Sequence, residues 1–174
     1  LNYAEPFSVS QEGETKILYS STDRAGNREK PKEIFVKIDK IGPQIDFITP
    51  FNGEEFLRSE NFEVEYEAID NISGLATGTE EVFLDDNKIS ASEPVDLFNL
   101  SLGEHELKIN SADIAGNISE TSTKFKIISS IDSAILDIER SYGEGLIEKE
   151  QVKDKLIKGL EWIKEFTEKH GEKE

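Results

Sequence analysis

The chain has 174 residues, of which 36% are hydrophobic and 33% charged, and its 37 acidic residues against 20 basic ones give a formal net charge of -17. That balance argues against a nucleic-acid partner, because affinity for phosphates needs Lys and Arg to displace counterions. The absence of cysteine excludes a disulfide framework, a thiolate metal site and a cysteine nucleophile, and no apolar run approaches the roughly 20 residues that span a bilayer, so membrane insertion is not expected. Methionine is absent, at position 1 as elsewhere, so Leu1 is expected to be an internal cut.

An internal repeat organises the rest. Ser21-Thr22-Asp23-Arg24-Ala25-Gly26-Asn27 returns as Ser111-Ala112-Asp113-Ile114-Ala115-Gly116-Asn117, and the copies align without a gap from Gly13-Glu14 and Gly103-Glu104. A repeat of this kind sets the period of a modular fold. From Leu1 to Ile41, strands are expected at Phe7 to Val9, Lys16 to Ser21 and Glu33 to Asp39, because Ile17 and Tyr19, then Ile34, Val36 and Ile38, alternate with polar neighbours. Gly26-Asn27 supplies the turn, where φ must be positive. These strands read as the C-terminal half of a truncated module, residues 1–41. Three strands with one apolar face are marginal alone, so the half-module is expected to be completed by another chain, docked on its neighbour or partly disordered.

Asp39-Lys40-Ile41-Gly42-Pro43 is the expected hinge, since proline ends pairing and the segment is short. Residues 42–128 form a complete module, with strands expected at Gln44 to Ile48, Asn61 to Ile69, Glu80 to Leu84 returning near Lys88-Ile89, Val95 to Leu100, Glu104 to Ser111 and Ser122 to Ile128. Phe62, Val64, Tyr66 and Ala68 alternate with acidic residues, which places one face on a core and the other in water. Short strands with turn signals between them predict an all-β sandwich. After Ile128 the apolar period lengthens to that of a helix, and residues 129–174 are expected to form a helical hairpin with Ser129 or Ser130 as its cap. Trp162 is the expected anchor of that hairpin, to a partner or to the sandwich. The fold class is therefore mainly β, with immunoglobulin-like sandwich modules in tandem and a C-terminal α-helical hairpin.

Ile48-Thr49-Pro50-Phe51-Asn52-Gly53, Tyr66 to Leu75, Val82 to Asp85, Leu102 to His105 and Asp113 to Asn117 together resemble the bacterial immunoglobulin-like repeats of secreted and surface proteins. Tyr142-Gly143-Glu144-Gly145-Leu146-Ile147, followed by Leu156 and Leu160, is similar to the small helical domain called FIMAH at the ends of secreted Gram-positive proteins, although that family's third helix has no counterpart here. The resemblance implies a secreted or cell-surface location and a non-catalytic role as a spacer or accessory region beside a catalytic or binding domain of the parent chain. Its partners would be the neighbouring domains. The alternative it leaves open is a module that binds cell-wall or substrate polysaccharide, or another protein.

One chemical hypothesis stands out. In an immunoglobulin-like topology the strands ending at Asp70 and Asp113 run the same way, so Asp70, Asn71 and Asp113 are candidates to converge on Ca²⁺, which takes six to eight oxygen ligands. The competing reading is that each Asp accepts hydrogen bonds from the turn that follows it. His105, next to no identifiable nucleophile, is expected to be structural. No catalytic constellation is present. Phe51, Phe56, Phe98 and Trp162 are the aromatics whose place, core or surface, the pattern leaves open for a sugar platform.

Overall fold

The computed structural model describes residues 5–170; residues 1–4 and 171–174, the ends of the first and last expected domains, lie outside the described residues. The described chain carries eleven strands followed by two helices. It divides into two compact units, one of residues 1–45, 68–80 and 110–120, the other of residues 46–67, 81–109 and 121–174.

In the first unit, β1 (Gly13–Tyr19) and β2 (Lys32–Ile38) form an antiparallel hairpin with Ile17 opposite Ile34 and Thr15 opposite Val36. The strand expected at Phe7 to Val9 does not form. Phe7 and Val9, either side of Ser8 and with no alternating neighbours beyond them, offer too short a period to fix a register.

The remaining strands are β3 (Gln44–Thr49), β4 (Glu54–Leu57), β5 (Asn61–Phe62), β6 (Glu65–Ile69), β7 (Glu81–Leu84), β8 (Asn87–Ile89), β9 (Val95–Asp96), β10 (Gly103–Ala112) and β11 (Ile118–Ile128). One sheet has the order β4-β11-β10-β7-β8, while β3 pairs with β6 and β5 with β9. This is an immunoglobulin-like β-sandwich. Two expectations need correction. The run from Asn61 to Ile69 is not one strand: it breaks after Phe62, and its halves pair with different partners. Val95 to Leu100 is strand only as far as Asp96, whose carboxylate then accepts from the Phe98 amide and caps a 3₁₀ turn over Leu97–Asn99. β4 was not foreseen; it runs parallel to β11, with Phe56 beside Ile127.

The core of the second unit follows from the alternation. His105, Leu107 and Ile109 on β10 and Thr123, Phe125 and Ile127 on β11 all point inward and are buried. Phe125 meets the edges of Phe62 at 5.2 Å and Phe56 at 5.9 Å, and the His105 ring stacks near it at 5.6 Å. His105 is held by two acceptors, the Asp85 carboxylate at 2.6 Å from Nδ1 and the Ser101 carbonyl at 2.8 Å from Nε2. Asp85 and Asp86 form the two-residue turn between β7 and β8, both with positive φ (47° and 63°), as a type I′ hairpin requires. Asp85 tolerates that conformation because Oδ1 also accepts from the Glu106 amide, which ties the turn to β10.

Two helices, α1 (Ile131–Gly143) and α2 (Glu150–His170), complete the second unit. Ser130 begins α1 with a reciprocal cap: its hydroxyl accepts from the Ser133 amide and its own amide donates to the Ser133 hydroxyl. The anchor to the sandwich is Arg140, not Trp162. The Arg140 guanidinium grips both oxygens of Asp96, at 2.7 and 2.5 Å, and lies 4.3 Å from the centre of the Phe98 ring. Arg58 donates twice to the Phe98 carbonyl. Trp162 is 65% exposed and stacks on Phe166 along α2.

The fork on Asp96 makes helix docking sensitive to acid. Hydrogen bonding to Arg140, opposed by burial, holds the Asp96 carboxyl below its ordinary value. A folded pKa lower than the unfolded one means that the contribution is present above the unfolded carboxylate range and is lost as pH falls through the folded value. Protection of α1 amides from exchange is therefore expected to fall below about pH 4, and Arg140→Ala is expected to show the same loss at neutral pH while β10 and β11 stay protected. Unchanged protection of α1 in the variant would remove Arg140 as the anchor.

Candidate metal centre and the motif that frames it

The two copies of the repeated stretch fold into the same clip. In the first copy, the Asp23 amide donates to the Asn27 carbonyl at 2.9 Å, and the Gly26 amide donates to the Asp23 carbonyl at 3.1 Å. The Asp23 carboxylate accepts from the Asn27 amide and from its Nδ2, each at 2.9 Å. In the second copy, the Asp113 amide donates to the Asn117 carbonyl at 3.0 Å and the Gly116 amide to the Asp113 carbonyl at 3.2 Å. Its carboxylate accepts from the Asn117 amide at 2.8 Å and Nδ2 at 2.7 Å. Gly26 and Gly116 both sit at positive φ, 91° and 92°, where glycine avoids the penalty of a Cβ. The turn itself thus accounts for Asp, Gly and Asn in both copies. The difference between the copies is burial, for Asp113 is 2% exposed whereas Asp23 is exposed.

The second clip is stitched to the loop after β6. Leu75 bridges to Asp113, the Ile114 amide donates to the Gly74 carbonyl and the Ala76 amide to the Ala112 carbonyl. The loop is folded on Asp70, whose Oδ1 accepts from the amides of Ile72, Ser73 and Gly74 at 3.2, 2.8 and 2.6 Å. These bonds bring Asp70 close to Asp113, as the shared strand direction predicts.

The third member of the group was not foreseen. Asp39, taken as part of the hinge, accepts from the Ser73 amide at 2.9 Å through Oδ2 and from the Ile41 amide at 3.2 Å through Oδ1. One carboxylate oxygen from each of Asp39, Asp70 and Asp113 lies within 4.8 Å of the others. Hydrogen bonding from Ser73, ahead of an opposing effect of burial, keeps the Asp39 carboxyl below its ordinary value. Asn71, the other expected ligand, is exposed and lies beside Gly13, Glu14, Lys37 and Ile72 around a shallow depression. The available signal for Asp39 was its place immediately after a strand and ahead of Gly42-Pro43, at the same kind of strand end as Asp70 and Asp113.

The donor set is hard oxygen, one buried member included, and among the described residues no lysine or arginine forms an ion pair with any of the three. Three carboxylates at this spacing repel one another unless a cation or hydrogen-bond donors offset the charge. The turn amides already supply donors, and each carboxylate oxygen retains lone-pair capacity beyond one such bond. The residues present therefore fit Ca²⁺, with Asp39, Asp70 and Asp113 as its holders and further oxygens needed to complete six to eight ligands. The second reading of the two aspartates, as acceptors for their own turns, is also satisfied in full.

The hinge that carries Asp39 is fastened along its length. The Lys40 amide donates to Glu12 Oε1 at 3.1 Å, and its ammonium group donates to the Ser10 carbonyl at 2.7 Å. Gly42 is pressed against the start of β11, so that a Cβ there would come within 2.6 Å of Ser119 Oγ and 3.0 Å of the Ile118 carbonyl carbon. Pro43 is buried.

Of the four aromatics considered as a sugar platform, Phe98 is buried and Phe56 stacks on Phe62 at 4.8 Å, which removes both. Phe51 and Trp162 are exposed, at 56% and 65%.

No protein-family model and no curated protein matches the chain. Among solved structures it is similar to the endo-beta-1,4-mannanase from Thermotoga petrophila, at 20% identity and a TM-score of 0.43 over 53% of this chain and 21% of that one. It is also similar to the Clostridium thermocellum CbhA fibronectin(III)-like modules, at 15% identity and a TM-score of 0.42, over 69% of this chain and 65% of that one. The chain thus spans less than two thirds of the length of either. Among the described residues no helix is long and apolar enough to cross a membrane.

Proposed function

We propose that this chain is a non-catalytic extracellular spacer, an accessory region that presents a catalytic or binding domain of a secreted or cell-surface bacterial protein. The observation that carries the reading is the joint. A flexible linker would leave residues 39–43 to solvent, whereas here Asp39 bonds to Ser73, Lys40 to Glu12 and Ser10, and Gly42 packs on Ile118 and Ser119. All these partners belong to the same compact unit of residues 1–45, 68–80 and 110–120, so the segment is a fixed part of that unit, and a stiff unit is what a spacer needs. The net charge of -17 keeps such a piece soluble.

Ca²⁺ held by Asp39, Asp70 and Asp113 would stiffen the same joint. Calorimetric titration is expected to show one site with a dissociation constant of roughly 10⁻⁴ to 10⁻³ M, the range of extracellular modules. Asp39→Asn with Asp70→Asn is expected to abolish the heat. No heat at millimolar Ca²⁺ would remove the metal and leave the joint to its hydrogen bonds alone. The alternative function, binding of polysaccharide or protein, draws on exposed Trp162 and Phe166. A glycan array and a pull-down with the full chain separate the two readings. Saturable binding that Trp162→Ala removes would replace the spacer reading.

A further inference from the structure

No residue of α2 is buried, so its sequence can be laid out directly as a surface. The half-buried positions Lys153, Ile157, Leu160 and Lys164 mark the side that meets α1, where Lys164 pairs with Asp132 at 2.5 Å and the Lys153 ammonium lies 5.0 Å from the centre of the Tyr142 ring. A second stripe, Val152, Leu156, Gly159, Ile163 and Phe166, recurs at the same alternating spacing of four and three and is set about 100° around the helix from the first. Its four apolar side chains and the neighbouring Trp162 are between 43% and 65% exposed. Trp162 and Phe166 stack with their centres 5.5 Å apart, and the His170 ring continues the column 4.6 Å beyond Phe166.

The charges of α2 are sorted around this apolar face. At the helical period, Lys153 and Lys164 border it on the α1 side and Lys155, Lys158 and Lys169 on the other, whereas Glu150, Asp154, Glu161, Glu165 and Glu168 share the back of the helix. Among the described residues Lys155 and Lys158 are in no ion pair, and Lys169 meets Glu165 at 3.8 Å. We infer that α2 docks in the plane of an anionic lipid surface. The apolar face enters the headgroup boundary, the indole of Trp162 sits at its edge, and the lysine stems lie along the face with their ammonium groups at the lipid phosphates. The acidic back is left in water. A second copy of this helix fits the stripe less well: antiparallel pairing centred on Trp162 sets Lys155 of each copy against Lys169 of the other, with every acidic residue turned away. The chain's net charge of -17 is screened beyond about 10 Å, so the lysine rims decide the contact at the surface. This surface is independent of the spacer reading, since a spacer can also rest on a membrane.

Trp162 is the chain's one tryptophan, so its emission reports on α2 alone. Titrating the full chain at physiological salt with vesicles of equal parts phosphatidylcholine and phosphatidylglycerol is expected to shift that emission to the blue and to co-sediment the chain. The apparent affinity is expected to exceed that for phosphatidylcholine vesicles by at least about tenfold, the lysines supplying the difference. Lys155→Glu with Lys158→Glu should remove that advantage, and Ile163→Asp should abolish binding to both vesicles. Glu161→Gln, on the back of the helix, should leave binding unchanged, and circular dichroism at wild-type helix content keeps loss of fold out of the comparison. No shift with the anionic vesicles, or equal affinity for the two compositions, would overturn the proposal. So would a blue-shifted emission without lipid that grows with protein concentration alongside a dimer mass, because a second copy would then occupy the stripe.

Discussion

Asp113→Ala is expected to destabilise the chain by about 2–4 kcal/mol, while Asp23→Ala, the same change in the same motif, leaves the global melting transition unmoved. In both clips the carboxylate accepts from the Asn amide and side chain. Only at Asp113 is the acceptor withdrawn from water, with the aspartate 2% exposed and Asn117 half-buried. Removing an acceptor leaves a donor whose cost depends on whether water can replace it, about 1–3 kcal/mol for each buried group. The lost bridge from Asp113 to the loop at Leu75 adds to this. Denaturant melts with EDTA present keep any metal contribution out of the comparison. Asp113→Asn, which keeps one acceptor, should fall between wild type and alanine. Equal shifts for the Asp23 and Asp113 variants would mean that burial does not set the value of the clip.

Phe125→Ala is the second large effect, at about 3–5 kcal/mol, the range for deleting a buried aromatic ring. The ring is 1% exposed and touches Phe56, Phe62 and His105 from three sides. Those partners belong to three different strands, so the cavity cannot collapse by moving one of them. His105 is also fixed at both nitrogens and cannot follow. Phe125→Leu, which conserves more of the volume, should cost less than about 1.5 kcal/mol. An urea midpoint that moves by an equivalent of less than about 1 kcal/mol in the alanine variant would place the centre of the core elsewhere.

Much of this architecture was legible because it is local. The repeated Asp-x-Ala-Gly-Asn stretch fixed the module period, and alternation placed Phe62 and Val64 on the face that is buried. Asp70 and Asp113 could be brought together because strand direction alone puts their ends on one edge. What stayed hidden depends on contacts distant in sequence. β4 is a strand because β11 passes beside it, some seventy residues later, and Glu54 to Leu57 has no alternation of its own. The break between β5 and β6 leaves the alternation of Phe62, Val64, Tyr66 and Ala68 intact, so no periodicity could reveal that the chain changes partners there. Asp39 was missed for a related reason. Its role comes from Ser73, a residue 34 positions further along the chain, and an aspartate ahead of Gly-Pro reads as a turn.

The central claim is that residues 39–42 form a fixed joint, and backbone ¹⁵N relaxation measures it directly. Order parameters for Asp39, Lys40, Ile41 and Gly42 are predicted to match those of β2 and β3, near 0.85. A fall below about 0.6 at these four residues, with the flanking strands rigid, would contradict the account.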